Sequence, residues 1–99
     1  MIVVRNTFQL KFGQARPAVA LWKEGRDTLK RLGMKGDQRL LTDLVGPSYT
    51  LVFENTFESL SAFERDTKLV MGNAEWRAWY DRFIPLCESA SREIFTIVD

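Results

Sequence analysis

Apolar and polar residues alternate along residues 2–12. Ile2, Val4, Phe8, Leu10 and Phe12 share one side with Asn6 as its single polar member, while Val3, Arg5, Thr7, Gln9 and Lys11 share the other. A period of two with one apolar side predicts a strand covered on that side alone. Gly13 ends it. The period then changes: Ala18, Leu21, Trp22, Gly25, Leu29 and Leu32 recur at helical spacing. Pro17 suits the first turn of this helix, where its missing N–H would have no partner, and Gly33 suits the stop. Gly25 lies on the inner stripe at a cost in helix propensity, so something approaches the helix closely there. The opposite face, with Lys23, Arg26, Lys30 and Arg31, reads as a solvated basic surface.

After a turn at residues 34–37, residues 38–45 read as a second strand and Gly46-Pro47 as a tight connection. Residues 49–57 form a third strand. Tyr49, Leu51, Phe53 and Phe57 lie on its apolar side, with Asn55 the polar exception, and Thr50, Val52, Glu54 and Thr56 on the other. A second helix starts at Glu58 or Ser59, either of which can accept its early N–H groups. Leu60, Phe63, Thr67, Val70 and Met71 form its expected inner stripe, and Gly72 closes it. Asn73 then caps a short aromatic helix carrying Trp76, Trp79, Tyr80 and Phe83. Pro85 ends that helix, and residues 92–98 make the last strand.

This order, β-α-β-β-α-β with the second helix broken at Gly72-Asn73, predicts an α+β fold of the ferredoxin-like type. A four-stranded antiparallel sheet carries the helices on one face, with the first and third strands adjacent at its centre. The second, polar-studded sheet face is left uncovered. Ninety-nine residues suffice for one domain, residues 1–99, around a single core.

Charge changes this picture little. The formal net charge of +1 gives no reason to expect nucleic acid or an anionic membrane as partner. The signs are nevertheless unevenly spread: residues 1–50 hold nine Lys/Arg against four Asp/Glu, and residues 51–99 hold five against nine. Either two oppositely charged surfaces meet within the fold, or they meet across a subunit contact. Chemistry is narrowed more sharply. The sequence has no histidine, which removes Ser-His-Asp, Cys-His and His-metal schemes together. Cys87 is the single cysteine, so neither an intrachain disulfide nor a thiolate cluster can form, and no metal or other cofactor is expected. No segment has the length of a membrane span and none resembles a signal peptide, so a cytoplasmic setting is expected.

Three stretches resemble a known family. These are Phe57-Glu58-Ser59-Leu60 opening a helix, the run from Glu75-Trp76 through Pro85-Leu86, and Ser91-Arg92-Glu93-Ile94 entering the last strand. Together with the element order they are similar to NIPSNAP-type members of the dimeric α+β barrel superfamily. The resemblance implies a homodimer in which two sheets pair through their open faces. It also implies kinship with antibiotic-biosynthesis-type monooxygenases. Those enzymes oxidise polycyclic phenols without metal or flavin, in a pocket between helices and sheet lined by asparagine, tryptophan, tyrosine and arginine. None of those residues aligns one by one onto this chain, so no catalytic residue is assigned. Superfamily branches that use histidine, haem-binding chlorite dismutases among them, are excluded by composition.

The candidate site residues follow from polarity in apolar places. Asn6 and Asn55 interrupt the helix-facing sides of their strands, and a buried amide needs a partner. Asn55 either ties down the start of the second helix or meets a ligand; Asn6 is the better pocket candidate. Trp76, Trp79 and Tyr80 either fill the core or roof a flat apolar pocket, with Trp22 as its opposite wall. Three functions fit: a binder of a small aromatic molecule, a cofactor-independent monooxygenase or isomerase using Trp22, Trp76, Tyr80 and Asn6, or an interaction subunit whose core is filled. Space between Asn6 and Trp76 separates the first two from the third. RNA binding needs aromatics on the open sheet face, where the residues read so far are Arg, Thr, Gln and Glu.

Overall fold

The two strands with the cleanest alternation become the centre of the sheet. The computed structural model describes residues 1–99. In it, β1 (Ile2–Leu10) pairs antiparallel with β3 (Thr50–Phe57), matching Asn6 to Phe53 and Val4 to Asn55. β2 (Gln38–Thr42) and β4 (Cys87–Thr96) pair on the outside, giving the antiparallel order β2-β3-β1-β4. α1 (Ala15–Arg31), α2 (Leu60–Val70) and α3 (Ala74–Phe83) complete the fold, with one turn of 3-10 helix at Ile84–Leu86 around Pro85. This is the ferredoxin-like arrangement that the element order predicts.

Register places side chains as the period of two requires. Val4, Leu10, Leu51, Phe53 and Phe57 are buried on the helix side, and Phe8 packs against the same cluster. A second, smaller cluster of Val4, Phe57 and Ala62 lies under α2, and Met34 touches both. Strand ends depart from the alternation. Phe12 is exposed because β1 stops at Leu10, and Leu44 and Val45 protrude beyond β2, which stops at Thr42. β4 starts at Cys87, five residues before the expected position. Its exposed edge needs no apolar alternation, so the polar run Glu88-Ser89-Ala90-Ser91 gave no strand signal.

The helices are capped from their own sequence. The Ser59 hydroxyl accepts from Ala62 N at 3.1 Å, and Asn73 Oδ1 accepts from Glu75 N and Trp76 N at 2.9 and 3.1 Å. α2 keeps the middle of its expected stripe, with Val70 buried and Phe63 and Thr67 partly buried, while Ala62 and Asp66 join it and Leu60 and Met71 are exposed. Asp66 Oδ2 accepts the backbone N–H of Lys35 at 3.1 Å, which ties α2 to the α1–β2 turn.

Some of the unevenly spread charge is paired inside the chain. Arg31 pairs with Glu75 and Arg82 with Glu24, both joining α1 to α3. On the open sheet face, Glu54 is only 3% exposed and lies between Arg5 (2.6 Å) and Arg39 (2.7 Å). Hydrogen bonds from Arg39 and Arg5 hold its carboxyl below the usual carboxylate range in spite of burial. The rest of that face is mixed, with Val3, Val52, Leu41 and Phe95 beside threonines and serines.

Candidate ligand-binding site

α3 owes its position to α1 more than to the sheet, and this opens space beneath it. At Gly25, a Cβ would fall 2.5 Å from Trp79 Cε2 and Cζ2, so only glycine lets the Trp79 indole lie against α1. Trp79 is buried there, and its N–H donates to Leu21 O at 2.6 Å. The two ion pairs between these helices fix the same spacing from outside. At the end of α3, Phe83 reaches the sheet, edge-on to Phe8 with ring centres 4.9 Å apart.

Between these contacts is a half-open cavity of about 680 Å³. Its apolar floor is Phe8 and Phe53, and its inner wall is Trp22, stacked on Phe53 at 4.6 Å and 25°. Trp76 from α3 closes it above, 6.2 Å from Trp22 and stacked on Trp79 at 4.5 Å. Asn6 supplies the amide in the floor, and the rim carries Arg77, Tyr80, Asp81 and Arg92. A second hollow of about 780 Å³, between α1 and the β2–β3 loop, is more open.

Polar groups in the first cavity are unevenly satisfied. Trp22 is 4% exposed, yet its indole N–H has no acceptor. Asn6 Oδ1 accepts from Arg92 Nε at 2.8 Å, and its amide NH2 donates to no protein group. The buried Trp22 donor costs roughly 1–3 kcal/mol.

Four of the six sequence candidates, Asn6, Trp22, Trp76 and Tyr80, line this one cavity. Trp79 stands behind Trp76 as a support, its N–H already used. Asn55 lies outside, 2% exposed beneath the α1–β2 turn and opposite Gln38 in register. The side-chain amides of both residues lack hydrogen-bond partners, and Asn55 makes no bond to α2. Arg92 and Phe8 were not among the candidates. An arginine on an edge strand looks solvated in sequence, but antiparallel pairing of the first and last strands sets it opposite Asn6. Cys87 is half-buried in apolar surroundings that push its thiol up, away from the reactive thiolate. No group of three His, Cys, Asp or Glu side chains is placed to hold a metal ion, and no helix is long and apolar enough to cross a membrane.

No known family profile matches this sequence, and no curated protein does. Solved structures share its fold. An uncharacterized NIPSNAP domain protein from Burkholderia xenovorans superposes with a TM-score of 0.86 at 15% identity, covering 99% of this chain and 95% of its own. A NIPSNAP family protein from Agrobacterium tumefaciens strain C58 gives 0.87 at 17% identity, over 99% of this chain and 86% of its own. An antibiotic biosynthesis monooxygenase gives 0.75 at 12% identity, over 100% of both chains. At such identities the likeness is one of fold, and the fold is the one the resemblance in sequence implied.

Proposed function

We propose that this protein binds a small planar aromatic molecule in the cavity between α3 and the sheet, and does so as a homodimer joined through the open sheet face. One observation carries the binding reading. About 680 Å³ of space lies among Trp22, Trp76, Phe8 and Phe53, with the Asn6 side chain in its floor. That volume is within the ordinary range for small-molecule sites. Flat aromatic walls favour a flat ligand, and the Asn6 amide would orient it.

The test is a titration with 2-naphthamide, a neutral planar probe, followed by calorimetry and tryptophan fluorescence. Because Trp22 and Trp76 line the cavity, saturable one-to-one binding with quenching is the expected result. No saturable binding of 2-naphthamide, of 2-naphthol or of 2-naphthoate would remove the reading. A quinol followed with an oxygen electrode separates binding from oxidation; binding without oxygen uptake is the outcome expected here.

The dimer rests on the open face. Its one buried carboxylate is already neutralised by two arginines, and valine, leucine and phenylalanine side chains lie around the trio. Sedimentation is expected to give about twice the 11.5 kDa chain mass. Glu54→Gln leaves Arg5 and Arg39 of both copies facing one another unpaired, and should weaken association at least about tenfold. Acid acts on the chain itself. A carboxyl whose pKa is lowered in the fold contributes fully above its unfolded value and loses that contribution as pH falls through the lowered one, so the folded chain that forms the dimer should lose stability at the acid end. A monomer at neutral pH and micromolar concentration would refute the arrangement.

A further inference from the structure

We infer that the molecule bound in this cavity is an aromatic carboxylate, and that Arg92 selects it over neutral compounds of the same shape. The inference rests on the cavity being a binding site and adds the charge of what binds there.

Arg92 is held from two sides: its Nε donates to Asn6 Oδ1 at 2.8 Å, and its guanidinium carbon lies 5.7 Å from the centre of the Phe63 ring. A surface arginine serving only solubility has no need of either restraint. Arg5, Arg31, Arg39, Arg65 and Arg82 each meet a carboxylate, whereas Arg92 meets none. Its remaining N–H groups are therefore uncommitted, on a fork already fixed in direction.

The neighbours have the same polarity. Asn6 Oδ1 already accepts from Arg92, and its NH2 is free to donate into the cavity. Against these donors stands one carboxylate, Asp81, with Arg77 one helical turn before it to offset its charge. Two arginines against one aspartate leave the lining one positive charge in excess. A neutral aromatic would fill the space and offer these donors at most an uncharged acceptor. A carboxylate accepts at both oxygens, and a planar guanidinium matches it in geometry as well as charge.

The experiment compares 2-naphthoate with 2-naphthamide, which have the same ring system and nearly the same shape but differ in charge. For the unaltered protein, naphthoate should bind at least about tenfold more tightly, the scale set by charge-assisted hydrogen bonds. In Arg92→Gln the ratio of the two affinities should fall toward one, naphthoate losing far more than naphthamide, and an unchanged ratio would overturn the role of Arg92. If both probes bind the unaltered protein equally, the carboxylate inference is overturned and the cavity reading stands. If naphthamide and naphthoate both fail to bind, both readings fall. Should Arg92→Gln fail to fold, the ratio in the unaltered protein still decides, and raising salt should shrink it.

Discussion

Trp22→Ala is expected to cost roughly 3–5 kcal/mol, the range for emptying a large aromatic from a core. In a domain of this size that lowers the melting temperature by about 15–30 °C. The reason is the number of layers that meet at this ring. Trp22 stacks on Phe53 of the sheet and meets Trp79, Phe83 and Phe8 at 4.6, 5.5 and 5.6 Å. It is therefore the packing link between β1, β3, α1 and α3, and alanine would leave a void with few ways to collapse. Trp22→Phe separates ring from N–H. It keeps most of the packing and removes a donor that has no partner in the free protein, so its cost should be well below that of alanine. Thermal unfolding followed by far-ultraviolet circular dichroism checks both. A shift of only a few degrees for Trp22→Ala would mean the aromatic cluster contributes little to stability, against everything its burial implies.

How much of this was legible beforehand depends on what kind of neighbour each residue has. β1 and β3 were readable because each is sandwiched, apolar side beneath helices and polar side outward, so the period of two is written into the chain. Gly25 was readable as a point of close approach. That the approaching group is Trp79 of α3, not the sheet, depends on a contact made far along the sequence. The inward face of α2 was readable in part: Phe63, Thr67 and Val70 turn inward as expected, but Asp66 is buried beside them by a hydrogen bond to the Lys35 backbone, and hydrophobicity gives no hint of it. The site divided in the same way. Asn6 stood out as a polar residue in an apolar row, while Arg92 looked like any exposed cation until register set it beside Asn6. Three tryptophans at or near one place could be expected. Which indole N–H is spent, as in Trp79, and which is free, as in Trp22, is decided by a few tenths of a nanometre that no pattern encodes.

Gly36→Ala should be nearly as damaging, although no side chain is lost. Gly36 has φ +108°, a backbone state that L-residues adopt only at a cost of about 1–3 kcal/mol. A Cβ there would also collide with the Thr56 carbonyl oxygen and fall 2.6 Å from Asn55 Oδ1. The first obstacle is backbone in a central strand and cannot swing aside, so relief must come from moving the turn. That turn is fastened on both sides of the glycine: Lys35 N–H to Asp66 of α2 at 3.1 Å, and Thr56 N–H to Asp37 O at 3.0 Å. Displacing it breaks one bond or the other, and adds an overpacking cost of about 1–3 kcal/mol. The total, roughly 2–6 kcal/mol, is a large share of what a small domain has. Urea unfolding should show the midpoint falling sharply with an unchanged slope, and freeing Asp66 should loosen α2 ahead of the sheet. Hydrogen exchange at the α2 amides reads that directly: if their protection matched that of β1 in the variant, the Lys35–Asp66 fastening would not be what holds α2 in place.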